Sequence, residues 1–158
     1  MNLSSLIERA SHQEPPKPSQ QRWQERREAW LRELEQLSRQ VQQWLREAGV
    51  AAGAFQPYQE ARNEEWIGSY LVDCWLVDIG SFRLRFDPRG TLMVGACGRV
   101  DIRSSQAGTP VVKLIAEEGN KPGDPWCWSI YCDEAEMDDL ELSTENLAQA
   151  LSLLMPEG

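Results

Sequence analysis

A chain of 158 residues, 41% apolar and 26% charged, can bury a core without disulfide or metal staples. Its apolar runs fall far short of the ~20 residues that span a bilayer, and its opening stretch, MNLSSLIERASHQEPP, lacks the basic and apolar regions of a secretory signal, so the sequence points to the cytoplasm. The net charge of −9 sits almost wholly in residues 113–158, with two lysines against eleven acids, the wrong sign for nucleic-acid binding through phosphates.

In chain order, LSSLIERA (3–10) reads as a short helix with Ser5 and Glu8 in capping-box spacing and an apolar face of Leu3, Leu6, Ile7 and Ala10. HQEPPKPSQ follows as an extended linker, so residues 1–18 read as a flexible segment ahead of one domain, 19–158. From Ser19, a plausible N-cap, a long amphipathic helix covers about 20–48 and ends near Gly49. Trp23, Trp30, Leu37 and Trp44 recur every seven residues, with Leu34, Val41 and Ala48 three out of phase. Three Trp on one stripe suit packing on a sheet better than a tight coiled-coil seam. A homodimer through the free end of this helix is the alternative.

The helical period then disappears. SYLVDCWLVDI (69–79), FRLRF (82–86), TLMVGA (91–96), RVDIR (99–103), VVKLIA (111–116) and WCWSIY (126–131) read as strands, with turn signals between them. Connections this short hold no crossover helices, so five or six strands over about 66–132 form an antiparallel meander. Ser143 caps a last helix over about 144–155, with Leu147, Leu151 and Leu154 on one face. The fold class is α+β, both helices lying on the apolar side of the sheet.

The sequence offers little catalytic chemistry. Gly90 and Gly95 have P-loop outer spacing, but Ala96 and Cys97 replace Lys and Ser/Thr, and a strand follows. These glycines read as sheet-shaping: Pro88-Arg89-Gly90 as a turn, Gly95 as a bulge, Gly98 as a positive-φ connection. The single histidine, His12, lies in the linker, which removes the commonest general base. Cys74, Cys97, Cys127 and Cys132 read as reduced, buried thiols, with Cys127 and Cys132 on opposite strand faces; no metal set and no cofactor emerges. Trp126, Trp128 and Ile130 share one face, best packed against the tryptophan-bearing helix.

Strand alternation places Arg83, Arg85 and Asp87, and then Arg99, Asp101 and Arg103, on one exposed face. The plain reading is a solvated face knitted by ion pairs. The functional one is a docking surface, with Arg83, Arg85, Arg99, Asp101 and Arg103 as binding residues for an acidic partner, the chain's own DEAEMDDLE included. Asp87 with Asp101-Ile102-Arg103 loosely resembles a metal-dependent nuclease arrangement, but Arg103 stands where that pattern has lysine.

GTLMVGACGRVDI, with Trp66-Ile67-Gly68-Ser69-Tyr70 before it and Trp126 and a Leu-rich helix after it, resembles a set of uncharacterised bacterial proteins. In these a Trp-bearing helix precedes a small β domain. The resemblance spans most of 23–155, implies a bacterial cytosolic protein and carries no activity. The functional reading is a non-catalytic protein-interaction module: an adaptor, immunity-type inhibitor or accessory subunit. The alternatives are a small-ligand binder with an aromatic pocket between helix and sheet, and a metal-dependent hydrolase at Asp87 and Asp101.

Overall fold

The structure, a computed structural model, describes all residues except Met1, 13–18, 92–95, Pro122 and Gly158, and only the backbone of Ser19 and Gln20. The proline-rich linker, and with it Gly95 and the middle of TLMVGA, thus lie outside the described residues. Helix α1 spans Leu3–Ser11, α2 Ser19–Glu47 and α3 Thr144–Leu154. Strands β1 (Phe55–Glu64), β2 (Gly68–Ile79), β3 (Phe82–Gly90), β4 (Gly98–Ser104), β5 (Val112–Glu117), β6 (Cys127–Cys132) and β7 (Met137–Glu141) form one sheet in sequence order, every neighbouring pair antiparallel.

The α+β class and the meander stand, but the sheet has seven strands, not five or six. The two added strands flank the expected range, and each hides from a hydrophobic period. In β1 the half-buried side chains include Tyr58, Glu60, Arg62 and Glu64, so the more enclosed side of the strand is largely polar. In β7 Met137 is buried and Leu140 half-buried, three residues apart, because the register shifts opposite Ile130–Cys132 and Asp139 adopts φ +52°.

Helix α2 consists of strong helix formers without Gly or Pro, and it stops at Gly49, whose φ of +114° suits a helix C-terminus. Its stripe Trp30, Leu34, Leu37 and Val41 is buried against the sheet, so these residues are engaged within the chain. Trp23, nearer the helix start, stacks on Trp66 at 6.3 Å. Trp30 meets Trp126 and Trp128, each 6.4 Å away, and Trp75 stacks on Phe86 at 4.6 Å. Ser143 accepts from Asn146 N–H at 3.1 Å and so caps α3. In α1 the capping residue is Asn2, accepting from Ser5 N–H, rather than Ser5 itself. All of α1 is exposed.

Two glycine expectations change. Gly98 does not take positive φ; a Cβ there would stand 2.3 Å from Trp30 Cζ3, so its role is close approach to a buried ring. Pro88-Arg89-Gly90 is not a free turn but the end of β3, where the register against β4 shifts. Finally, β2 pairs with β3 only from Trp75 onward, so the outer half of the β1–β2 hairpin leaves the ladder. Polar contacts hold it instead: Arg62 donates to Pro88 O at 2.9 Å, Glu64 Oε1 accepts from Thr91 N at 2.8 Å, and Arg27 reaches Ile67 O.

Candidate interaction face

Leu84, Phe86, Val100 and Ile102 point from β3 and β4 into the core beneath α2 and α3. Their neighbours therefore emerge on the opposite face, and the register sets them in rows. Arg85 lies directly opposite Arg103, and in the next row Asp87 lies directly opposite Asp101. Like faces like across the strands, and the charges are balanced along them.

Asp101 is the most enclosed member, with a side chain 0% exposed. Arg99 grips it with a two-pronged fork, Nε to Oδ1 at 2.7 Å and Nη2 to Oδ2 at 3.0 Å, and the fork raises the Arg99 pKa. Arg103 Nη2 adds a contact to Oδ2 at 3.3 Å. Asp87 is also buried, held by Arg62 at 2.9 Å and Arg89 at 3.2 Å. The outward alternation holds, but an exposed carboxylate at Asp101 does not: the arginine side chains lie across it and exclude water.

Arg83 forms a separate, exposed pair with Asp78 at 2.8 Å, which lowers the Asp78 carboxyl and raises the guanidinium. Arg85 lies over the Tyr58 ring, 5.9 Å from its centroid. Arg83, Arg85 and Arg103 then converge, with Leu76, Ser104 and Ser105, on a cavity of about 350 Å³. All five residues singled out in the sequence thus share this face. Arg62, Arg89, Tyr58 and Lys113 join them unforeseen; Arg89 hides in the supposed turn, and Arg62 and Tyr58 in the unread strand.

Beneath the arginines, ligand atoms of Glu60, Cys74 and Asp87 lie within 4.8 Å of one another. Arg62 already donates to both carboxylates, at 2.7 Å and 2.9 Å, taking the place a cation would fill. Burial pushes the Cys74 thiol up to about 11, away from the thiolate that metals require, and pushes Tyr58 up to about 12. The hydrolase arrangement drawn on Asp87 and Asp101 therefore meets carboxylates engaged by guanidinium groups.

The C-terminal acids lie at the other end of the same face. Asp133 accepts from Lys113 at 3.2 Å, Asp139 from the Tyr131 hydroxyl at 3.1 Å, and Glu141 lies opposite Ser129. Asp133, held at Lys113 on β5, is near enough to Arg99 to help raise its pKa, while Asp139 and Glu141 stand on β7, three strands from β4. Among the thiols, Cys74, Cys97 and Cys132 are buried as read, but Cys127 is exposed, because its strand position faces away from α2.

Between α2 and the central strands the core leaves a void of only about 10 Å³. A larger groove, about 440 Å³, lies at the start of α2, lined by Arg22, Trp23, Arg26, Cys97, Glu118 and Trp126 among others. Among the described residues no helix is long and apolar enough to cross a membrane. Comparison of the chain with protein-family models, curated proteins and solved structures finds no match.

Proposed function

We propose that the chain is a non-catalytic cytoplasmic interaction module, of the adaptor, immunity-type inhibitor or accessory-subunit kind, that grips carboxylate-rich surfaces on its arginine face. The observation that carries this reading is Arg85 set directly opposite Arg103 at the cavity they share with Arg83. Like charges directly across strands are destabilising, by a few tenths of a kcal/mol up to about 1. An anionic group seated between them turns that cost into binding, and arginine forks match carboxylate geometry. The buried Asp101 and Asp87 hold the neighbouring arginines in place, so little side-chain freedom is lost on binding.

The test is fluorescence anisotropy of a labelled deca-glutamate peptide against the full chain. Arg85→Glu should weaken binding at least tenfold; equal affinity for the variant and the native chain removes the reading. A second reading, a small-ligand site, draws on the groove lined by Trp23 and Trp126 with Arg22 and Arg26. It requires that an aromatic carboxylate raise the melting temperature of the native chain and not that of Trp23→Ala.

A further inference from the structure

The uncovered sheet face is polarised along the strand order. At β3 and β4 stand Arg83, Arg85, Arg89, Arg99 and Arg103, which outnumber Asp78, Asp87 and Asp101. At the β6–β7 end stand Asp133, Asp139 and Glu141, with Lys113 as their cationic neighbour. Between them lie the half-buried Ile115, Ser129 and Tyr131 on β5 and β6. The strand register makes one row run Arg99, Ile115, Ser129, Glu141, basic at one end and acidic at the other.

A surface of this kind complements itself. We propose that the partner on this face is a second copy of the chain, stacked face to face about a two-fold axis that runs parallel to β5 between the two sheets. This inference rests on the interaction-module reading and names its partner. The rotation sets β3 and β4 of one molecule over β7 and β6 of the other, so the arginine-rich strands of each copy lie over the acid-bearing strands of its partner, once on each side of the axis. Ile115 and Lys113, the lysine neutralised by Asp133, lie on the axis against their own copies with Ser129 and Tyr131 beside them, in the closed, isologous arrangement of a two-fold interface.

Magnitudes bound the strength. Five strands at about 4.8 Å and five or six residues at about 3.3 Å give two faces totalling roughly 900 Å² before side-chain relief. That is at the low end of specific interfaces, so the dimer is weak and exchanging. The net charge of −9 opposes association, yet screening over about 8 Å at physiological salt attenuates that long-range repulsion and leaves contacting pairs intact.

Sedimentation equilibrium of the full chain at 150 mM salt, from about 10 to 300 µM, reads this out. The native chain should approach twice its monomer mass. Arg83→Glu with Arg85→Glu, and separately Asp133→Lys with Glu141→Lys, should each lower the association constant about tenfold or more. An equimolar mixture of the two variants should restore the dimer, since each reversed end then meets its complement. All four positions are exposed; circular dichroism checks folding, and Arg85→Gln with Glu141→Gln serve as milder versions. A native chain that stays monomeric, a mass that climbs beyond two copies, or a dimer that neither variant weakens overturns the proposal. Deca-glutamate anisotropy on the same samples separates the two readings. A monomer that still binds the peptide loses self-pairing but keeps its acidic partner, and a chain that does neither loses both.

Discussion

Asp87 and Asp101 face each other across the β3–β4 ladder, and Arg89 bridges them, Nη1 3.2 Å from Asp87 Oδ2 and Nε 3.9 Å from Asp101 Oδ2. Two carboxylates opposed in this way would repel. The arginines around them, Arg62 on one side and Arg99 and Arg103 on the other, make the pair stable and shut water out.

Asp101→Ala should therefore destabilise the fold. Removing one partner of a fully buried ion pair costs about 3–5 kcal/mol, but Arg99 and Arg103 are 31% and 47% exposed and can turn to solvent. A loss of roughly 1–3 kcal/mol follows, read as a lower urea midpoint with unchanged slope. An unchanged midpoint would show that the arginines, not the carboxylate, hold this corner together.

Gly98→Ala places a methyl 2.3 Å from Trp30 Cζ3, on backbone that cannot retreat easily from a buried ring. Overpacking of this kind costs about 1–3 kcal/mol, hence a melting point lower by roughly 2–12 °C for a chain of this size. Trp30→Phe should lose stability alone yet add less than its full cost on top of Gly98→Ala. Strict additivity in that double-mutant cycle would argue against the clash.

Alkaline pH should weaken the fold earlier than a surface thiol and phenol would imply. Cys74 rises from its ordinary 9.0 to about 11 and Tyr58 from 10.0 to about 12, both chiefly through burial. Above pH 9 the unfolded chain releases protons that the folded chain keeps, so stability is full below pH 9 and declines toward pH 12. Melting temperatures between pH 8 and 11 check this, and Cys74→Ala should flatten the decline between 9 and 11. A variant as steep as the native chain would remove Cys74 from the account.

Arg85→Glu should leave the free molecule about as stable as before, within roughly 0.5 kcal/mol. It removes repulsion from Arg103 and gains an opposite-charge cross-strand pair, while losing a cation–π contact of similar size over Tyr58. Thermal unfolding checks the stability, and a drop of several degrees would assign Arg85 a structural role instead.

The α+β class, the meander and both main helices were legible, because apolar spacing and turn residues report directly on a buried face. Trp30, Leu34, Leu37 and Val41 announced their burial by period alone. Strands β1 and β7 were not legible: the more enclosed positions of β1 carry Glu60, Arg62 and Glu64, and a register shift breaks the spacing of Met137 and Leu140. The arginine face was legible as a face, since alternation fixes which side Arg83 to Arg103 occupy. The enclosure of Asp101 was not, because it depends on arginine side chains arriving from several positions at once.

The strand order β1 to β7, identical to the order in sequence, also bears on how the chain folds. Each strand pair closes a short loop, and hairpins of that kind form on the order of 1–10 µs. The costly closures are those that bring α2 onto the finished sheet, such as Glu33 accepting from Trp126 N–H at 3.4 Å across 93 residues. Loop-closure entropy therefore predicts that the sheet assembles from neighbour to neighbour and that Trp30 seats over Gly98 late, an order that stopped-flow fluorescence of the native chain against Trp30→Phe would read.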